Sequence, residues 1–159
     1  MKPDLALDNQ LCFALYAASR LTTSAYRACL DPIGITYPQY LVLLVLWETD
    51  GVTVTDLGRR LYLDSGTLSP LLRRMEGLGL VRRQREEQDA RLVTVHLTAD
   101  GTALREQGEA IQRCLAPMST LTIDEARTLR DLARRLIDAS PSPDPSLTPA
   151  ADPGLDATP

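Results

Sequence analysis

The sequence predicts a mainly helical fold carrying one small β-hairpin (α+β), and three observations lead there. Apolar residues recur at helical spacing over most of the first eighty or so positions; two short runs, LVRRQRE and RLVTVHLT, alternate with the period of a strand; and helical spacing then resumes. The elements follow in order. Asp8 reads as the N-cap of a first helix in which Leu11, Leu15, Ala18, Leu21, Ala25 and Ala28 keep the period until Pro32 stops it. In YPQYLVLLVLWE a proline near the first turn is followed by apolar residues all round, the pattern of a helix buried on most sides. Thr53 and Asp56 resemble a capping box for a third helix that presents Val54, Leu57 and Leu61 on one face.

Asp64 or Ser65 opens a fourth helix, with Leu68, Leu71, Leu72, Met75 and Leu78 on its inner stripe and Gly79 at its end. Pro70 lies beyond the first turn and removes a backbone hydrogen bond, so a loosened N-terminal turn is expected there. The two strands come next, joined by EEQDA, and Thr98 with ADG restarts a helix expected to run to about Ala116. Thr122 to Glu125 matches a capping box, and the last helix continues through Leu129, Leu132, Leu136 and Ile137.

Composition sets the bounds. No run of about eighteen apolar residues occurs, and MKPDLALDNQ has neither a basic nor an apolar leader segment, so a soluble, cytoplasmic chain without a membrane partner is expected. Cys12, Cys29 and Cys114 are odd in number and far apart, which argues against a disulfide framework and for free thiols. With His96 as the single histidine and no C-x-x-C pair, neither a metal site nor another cofactor is expected. Residues 140–159 hold six prolines, three acids and no base, and read as a disordered tail after a domain spanning 1–139.

The formal net charge of −4 hides a regional contrast. Between Leu71 and Arg85 stand five arginines (Arg73, Arg74, Arg82, Arg83 and Arg85) against one acid, Glu76. Two short helices joined by a tight turn, then a basic ribbon, make a winged helix-turn-helix at about 53–97, a form that sets its second helix in the major groove. Ser65, Thr67 and Ser69 offer short hydroxyls to base edges or phosphates, Arg73, Arg74, Arg83 and Arg85 offer charge to phosphates, and Asp89 and Arg91 lie at the hairpin tip, where an arginine can enter a narrow minor groove.

One further stretch needs a reason. LCFALYAASRLTTSAY puts Cys12 in the first turn of the first helix with Tyr16 one turn on and Tyr26 near the same azimuth. A cysteine in such a place is most simply a small core hydrophobe. The run from about Asp8 to Leu115, with NQLCFALY, ITYPQYLVLL, LWE, LYLDSGTLSPLLRRME and the wing pieces DAR and LT, resembles the multiple antibiotic resistance regulator (MarR) family, and within it the organic hydroperoxide resistance regulators (OhrR).

That resemblance implies a homodimeric repressor on palindromic double-stranded DNA, with an organic hydroperoxide as inducer and Cys12 as the redox sensor. It implies a pocket of Tyr16, Tyr26 and Tyr37 around the sulfur, the last two reaching it from the partner subunit, and either Cys114, bonding Cys12 across the dimer, or a small cellular thiol as the group that resolves oxidised Cys12. Cys29 reads as core. The first helix and the last two are expected to form the dimer interface. Two other functions compete: a repressor of the same fold released by non-covalent binding of a small aromatic ligand, and a thiol peroxidase. The second lacks a thioredoxin-like βαβ pattern, and no enzymatic activity is expected.

Overall fold

The computed structural model describes residues 5–85, 92–115 and 120–139, and the expected tail and the wing residues Asp89 and Arg91 lie outside them. Helices dominate: α1 Leu11–Leu30, α2 Tyr37–Glu48, α3 Val54–Leu61, α4 Ser65–Gly77, α5 Ala99–Ala103, α6 Gly108–Leu115 and α7 Ile123–Ala139. Strands β1 Val52–Thr53, β2 Val81–Arg85 and β3 Val93–Leu97 form an antiparallel sheet in the order β1-β3-β2, with Val52 opposite Val95 and Arg83 opposite Val95 on its other side. The expected hairpin is thus the larger part of a three-stranded sheet. Two residues of β1, too few for a period to register, went unseen in the sequence.

α2 crosses the core, as its continuous apolar run requires: Val42, Leu43 and Leu46 are wholly buried beside Leu30, Leu57, Leu72, Met75 and Val95. Its N-terminus is held where the Thr36 N–H donates to Gln39 Oε1 at 2.7 Å. At its other end Trp47 Nε1 donates to the Gly101 carbonyl at 2.9 Å, anchoring α2 to α5. A Cβ built on Gly101 would stand 2.0 Å from the Leu80 carbonyl oxygen, so only glycine lets α5 lie this close to the strand entering the wing.

The caps expected at Thr53, Thr98 and Thr122 form. Asp56 N–H donates to Thr53 Oγ1 at 3.0 Å, Gly101 N–H to Thr98 Oγ1 at 3.1 Å, and Glu125 N–H to Thr122 Oγ1 at 3.3 Å. Asp8 does not cap α1. It lies in a 3-10 turn, Leu7–Asn9, and the N-cap of α1 is Gln10, two residues further along. Pro70 does not loosen α4 either: the helix runs unbroken from Ser65, because Asp64 accepts from the Thr67 N–H at 2.8 Å and fixes the first turn. The helix expected to continue to about Ala116 is instead broken by a 3-10 segment, Leu104–Gln107, between α5 and α6.

The cysteines depart most from expectation. Cys29, near the end of α1 and 8% exposed, is bonded to Cys114 of α6 across 85 residues, with Cα atoms 5.9 Å apart. Burial of Cys29 agrees with the core reading, but neither residue is the free thiol the spacing suggested. Sequence distance concealed a pair that the packing of α6 along α1 brings together.

Candidate nucleic-acid interface and thiol site

α3 and α4 are joined by a turn in which Tyr62 takes a left-handed conformation, φ 55°, and Leu63 N–H bonds the Gly58 carbonyl at 2.9 Å. α4 buries Leu68, Leu71, Leu72 and Met75, which turns Ser65, Thr67, Pro70, Arg73 and Arg74 outward and leaves Ser69 half-buried at the edge. Its C-terminus is a Schellman motif: Leu80 N–H reaches the Met75 carbonyl at 3.0 Å and Gly79 N–H the Glu76 carbonyl at 2.9 Å, with Gly79 at φ 71°. This closure swings the chain directly into β2, so the wing arginines stand beside the exposed face of α4.

The polar groups differ in how available they are. The Thr67 hydroxyl donates to Asp64 Oδ2 at 2.9 Å, so toward a nucleic acid it presents an acceptor. These two bonds from Thr67, backbone first and side chain second, hold the Asp64 carboxyl below its ordinary pKa. Arg83 is an ion-pair partner: its backbone N–H bonds Glu76 Oε1 at 2.9 Å, its Nε bonds Oε2 at 2.8 Å, and its Nη2 lies 2.7 Å from Oε2. The Arg83 side-chain hydrogen bond is the largest of the effects that lower the Glu76 pKa, joined by its backbone N–H and by the charges of Arg83 and Arg73. Arg83, read from sequence as a phosphate contact, therefore braces the wing to α4. Arg82 donates to the neutral Gln84 at 2.6 Å, while Arg73, Arg74 and Arg85 point outward. Glu76 itself was missed, because its partner is set by the path of the turn and no helical spacing marks it.

Cys12, the free cysteine among the described residues, is exposed at the second position of α1. Gln10 at the N-cap turns its side-chain amide back to the Ala6 carbonyl at 3.2 Å and makes no side-chain cap bond to the first turn. Tyr16 follows one turn on, also exposed, its hydroxyl accepting from Arg20 Nη1 at 2.9 Å with the guanidinium 5.6 Å from the ring centre. Arg20 was not singled out in the sequence, although its spacing of four from Tyr16 is the signal that finds it.

Tyr26 and Tyr37 are brought together, but away from Cys12. Their ring centres lie 4.4 Å apart, Tyr40 is 5.8 Å from Tyr26, and Trp47 stands edge-on to Tyr40 at 6.0 Å. Fourteen residues of α1, about 21 Å of rise, separate Cys12 from Tyr26 in one chain. Burial raises the pKa of Tyr26, Tyr37 and Tyr40, with Tyr26 and Tyr40 adding to the effect on Tyr37, so these hydroxyls stay protonated and able to donate at neutral pH. Among the described residues no group of histidine, cysteine and acidic side chains is arranged to hold a metal, and no single helix is long and apolar enough to cross a membrane.

Comparison with known proteins adds three findings. A family model described as the MarR family matches residues 35–93. The organic hydroperoxide resistance transcriptional regulator of Bacillus subtilis is 46% identical over 134 residues, 84% of this chain and 91% of that protein. AbfR of Staphylococcus epidermidis, solved reduced and bound to DNA, superposes with a TM-score of 0.71 at 39% identity over 83% of this chain and 90% of its own; its overoxidized form bound to DNA gives 0.68, again at 39% identity, over 83% and 93%.

Proposed function

The chain belongs to the MarR family, and from that premise we propose that it is a transcriptional repressor that binds a palindromic DNA operator as a homodimer, senses organic hydroperoxides through Cys12 and so derepresses a peroxide-detoxification gene. One observation carries the reading: Cys12 is an exposed, unbonded thiol in the first turn of α1, in a chain 46% identical to a regulator named for organic hydroperoxide resistance. A thiolate there attacks a peroxide oxygen; the S–O bond forms, the O–O bond breaks, and the alkoxide leaves to take up a proton as the alcohol. Cys12 is left as a neutral sulfenic acid.

The tyrosines make this oxidation consequential. In the homodimer the hydroxyls of Tyr26 and Tyr37 reach Cys12 across the subunit boundary, since within one chain the helix holds them apart, and Tyr16 lines the same pocket. Two hydroxyl bonds to a thiolate, at about 1.5–3 kcal/mol each, give a dimer roughly 6–12 kcal/mol of interaction present while the sulfur is an anion. Specific DNA binding exceeds non-specific binding by about 4–10 kcal/mol, so a part of that energy suffices for release. AbfR is solved on DNA both reduced and overoxidized. A sulfinate is again an anion that accepts those hydroxyls, so release here belongs to the neutral sulfenic or disulfide states.

The regulator is not an enzyme, and it consumes its peroxide stoichiometrically. A Cys12→Ser protein, assayed by operator mobility shift with and without an organic hydroperoxide, is expected to bind DNA and stay bound. If that protein still lets go, the thiol reading gives way to a non-covalent ligand, for which the Tyr26–Tyr37–Tyr40–Trp47 cluster offers an aromatic wall.

A further inference from the structure

The disulfide between Cys29 and Cys114 lies outside the sensor just described, yet it holds one of the thiols that a sensor of this kind can use. Cys29 is buried near the end of α1, and Cys114 is exposed on α6, the helix packed along α1. Within one chain Cys114 is therefore the sulfur that a small molecule can reach, Cys29 being shielded. A sulfur makes one disulfide at a time, so a Cys114 bonded to Cys29 cannot also bond Cys12.

We infer that Cys29 and Cys114 form a second, reversible redox couple that competes with Cys12 for Cys114 and thereby decides how an oxidised Cys12 is resolved. The clause concerning Cys12 rests on the function proposed above. The couple itself rests on the α1–α6 juxtaposition. Closure needs an oxidant, here a small-molecule disulfide. The Cys114 thiolate attacks it, forming a mixed disulfide and expelling one thiolate; Cys29, deprotonated in the step, attacks Cys114 Sγ, forms the protein disulfide and expels the second. Two protein thiols are oxidised and one small disulfide is reduced to two thiols. With the couple closed, Cys12 sulfenic acid meets either an external thiol, giving a mixed disulfide, or more peroxide, giving sulfinic acid. With the couple open, Cys114 of the other subunit is free to condense with it, forming an S–S bond and releasing water. The redox state of the surroundings before a peroxide pulse thus sets whether the response is quickly reversible.

The test uses the full chain, equilibrated in oxidised or reduced glutathione, freed of it by desalting, treated with about two equivalents of cumene hydroperoxide, alkylated and mapped by mass spectrometry. After oxidised glutathione, the linked Cys29–Cys114 peptide is expected within monomers, with Cys12 recovered as its glutathione adduct or sulfinate. Starting from reduced glutathione, or with Cys29→Ser or the better-suited buried variant Cys29→Ala, the share of Cys12–Cys114 linked dimers is expected to rise several-fold. Two alkylatable thiols at Cys29 and Cys114 in oxidised glutathione, or an unchanged share of linked dimers in both Cys29 variants, would overturn the inference. A Cys12→Ser arm separates this from the sensor: if Cys12 stays inert toward peroxide throughout, the sensing proposal fails, while closure that still follows glutathione in Cys12→Ser upholds the couple and its absence there sinks it.

Discussion

Arg83 shows how a single side chain's role depends on what folds beside it. Its guanidinium and backbone N–H both face Glu76, and the two side chains are about one-third exposed, 32% and 30%. A pair so placed is worth only about 1 kcal/mol, less in high salt. Because its folded pKa is depressed, Glu76 contributes stability that is present above its ordinary value near 4.5 and is lost as pH falls through the folded value. Thermal unfolding of wild type against Glu76→Gln should therefore differ at neutral pH and converge once the pH has fallen below that depressed folded value. Arg83→Ala is expected to lower stability with little change in the salt dependence of DNA affinity, whereas Arg74→Ala should leave stability alone and flatten the log–log salt slope by about 1. Equal slopes for the two variants would return Arg83 to the phosphate contacts. From sequence, the run of arginines was legible as charge; which of them is already matched was not, since that depends on the geometry of the Gly79 turn.

Elements were legible where a local rule governs them. The α2 run, the threonine caps and the glycine after α4 each depend on neighbours within a turn or two, and each appears where its chemistry asks. The failures share a cause. Asp8, the break between α5 and α6, β1 and the Cys29–Cys114 bond are decided by contacts distant in sequence or by a two-residue shift at a helix end. The bond between α1 and α6 closes a loop spanning 85 residues in the unfolded chain, which the chain-entropy account values at roughly 4–5 kcal/mol. Urea unfolding of the wild type is expected to shift to lower denaturant by that amount on adding a reductant, and unfolding of Cys114→Ser is expected to ignore the reductant. A wild type equally stable in both conditions would show that α1 and α6 are held by packing alone.

At the scale of the whole molecule, what remains exposed is as informative as what is buried. α7 has no buried residue, although Ile123, Leu129, Leu132, Leu136 and Ile137 give it an apolar stripe, and α1 leaves Leu11, Tyr16 and Leu21 in solvent. Long apolar faces left exposed among the described residues suit a second copy placed against them, as the proposed homodimer requires. Leu132→Asp is expected to give monomers by sedimentation and to weaken operator binding. Monomers that bind a full operator as tightly as wild type would remove the dimer from the proposal. An operator half-site spacing of about 34 Å asks the two copies to hold α4 at a fixed separation, which turns attention to how rigidly each reading head is mounted.

That mounting is visible at Gly101. Its Cα lies against the Leu80 carbonyl with no space for one more carbon, and its own carbonyl is gripped by Trp47. Such a joint leaves little slack: α5 sits directly on the strand entering the wing, so a tilt of α5 must either carry β2 with it or break this contact. Any side chain at position 101 would wedge that coupling apart.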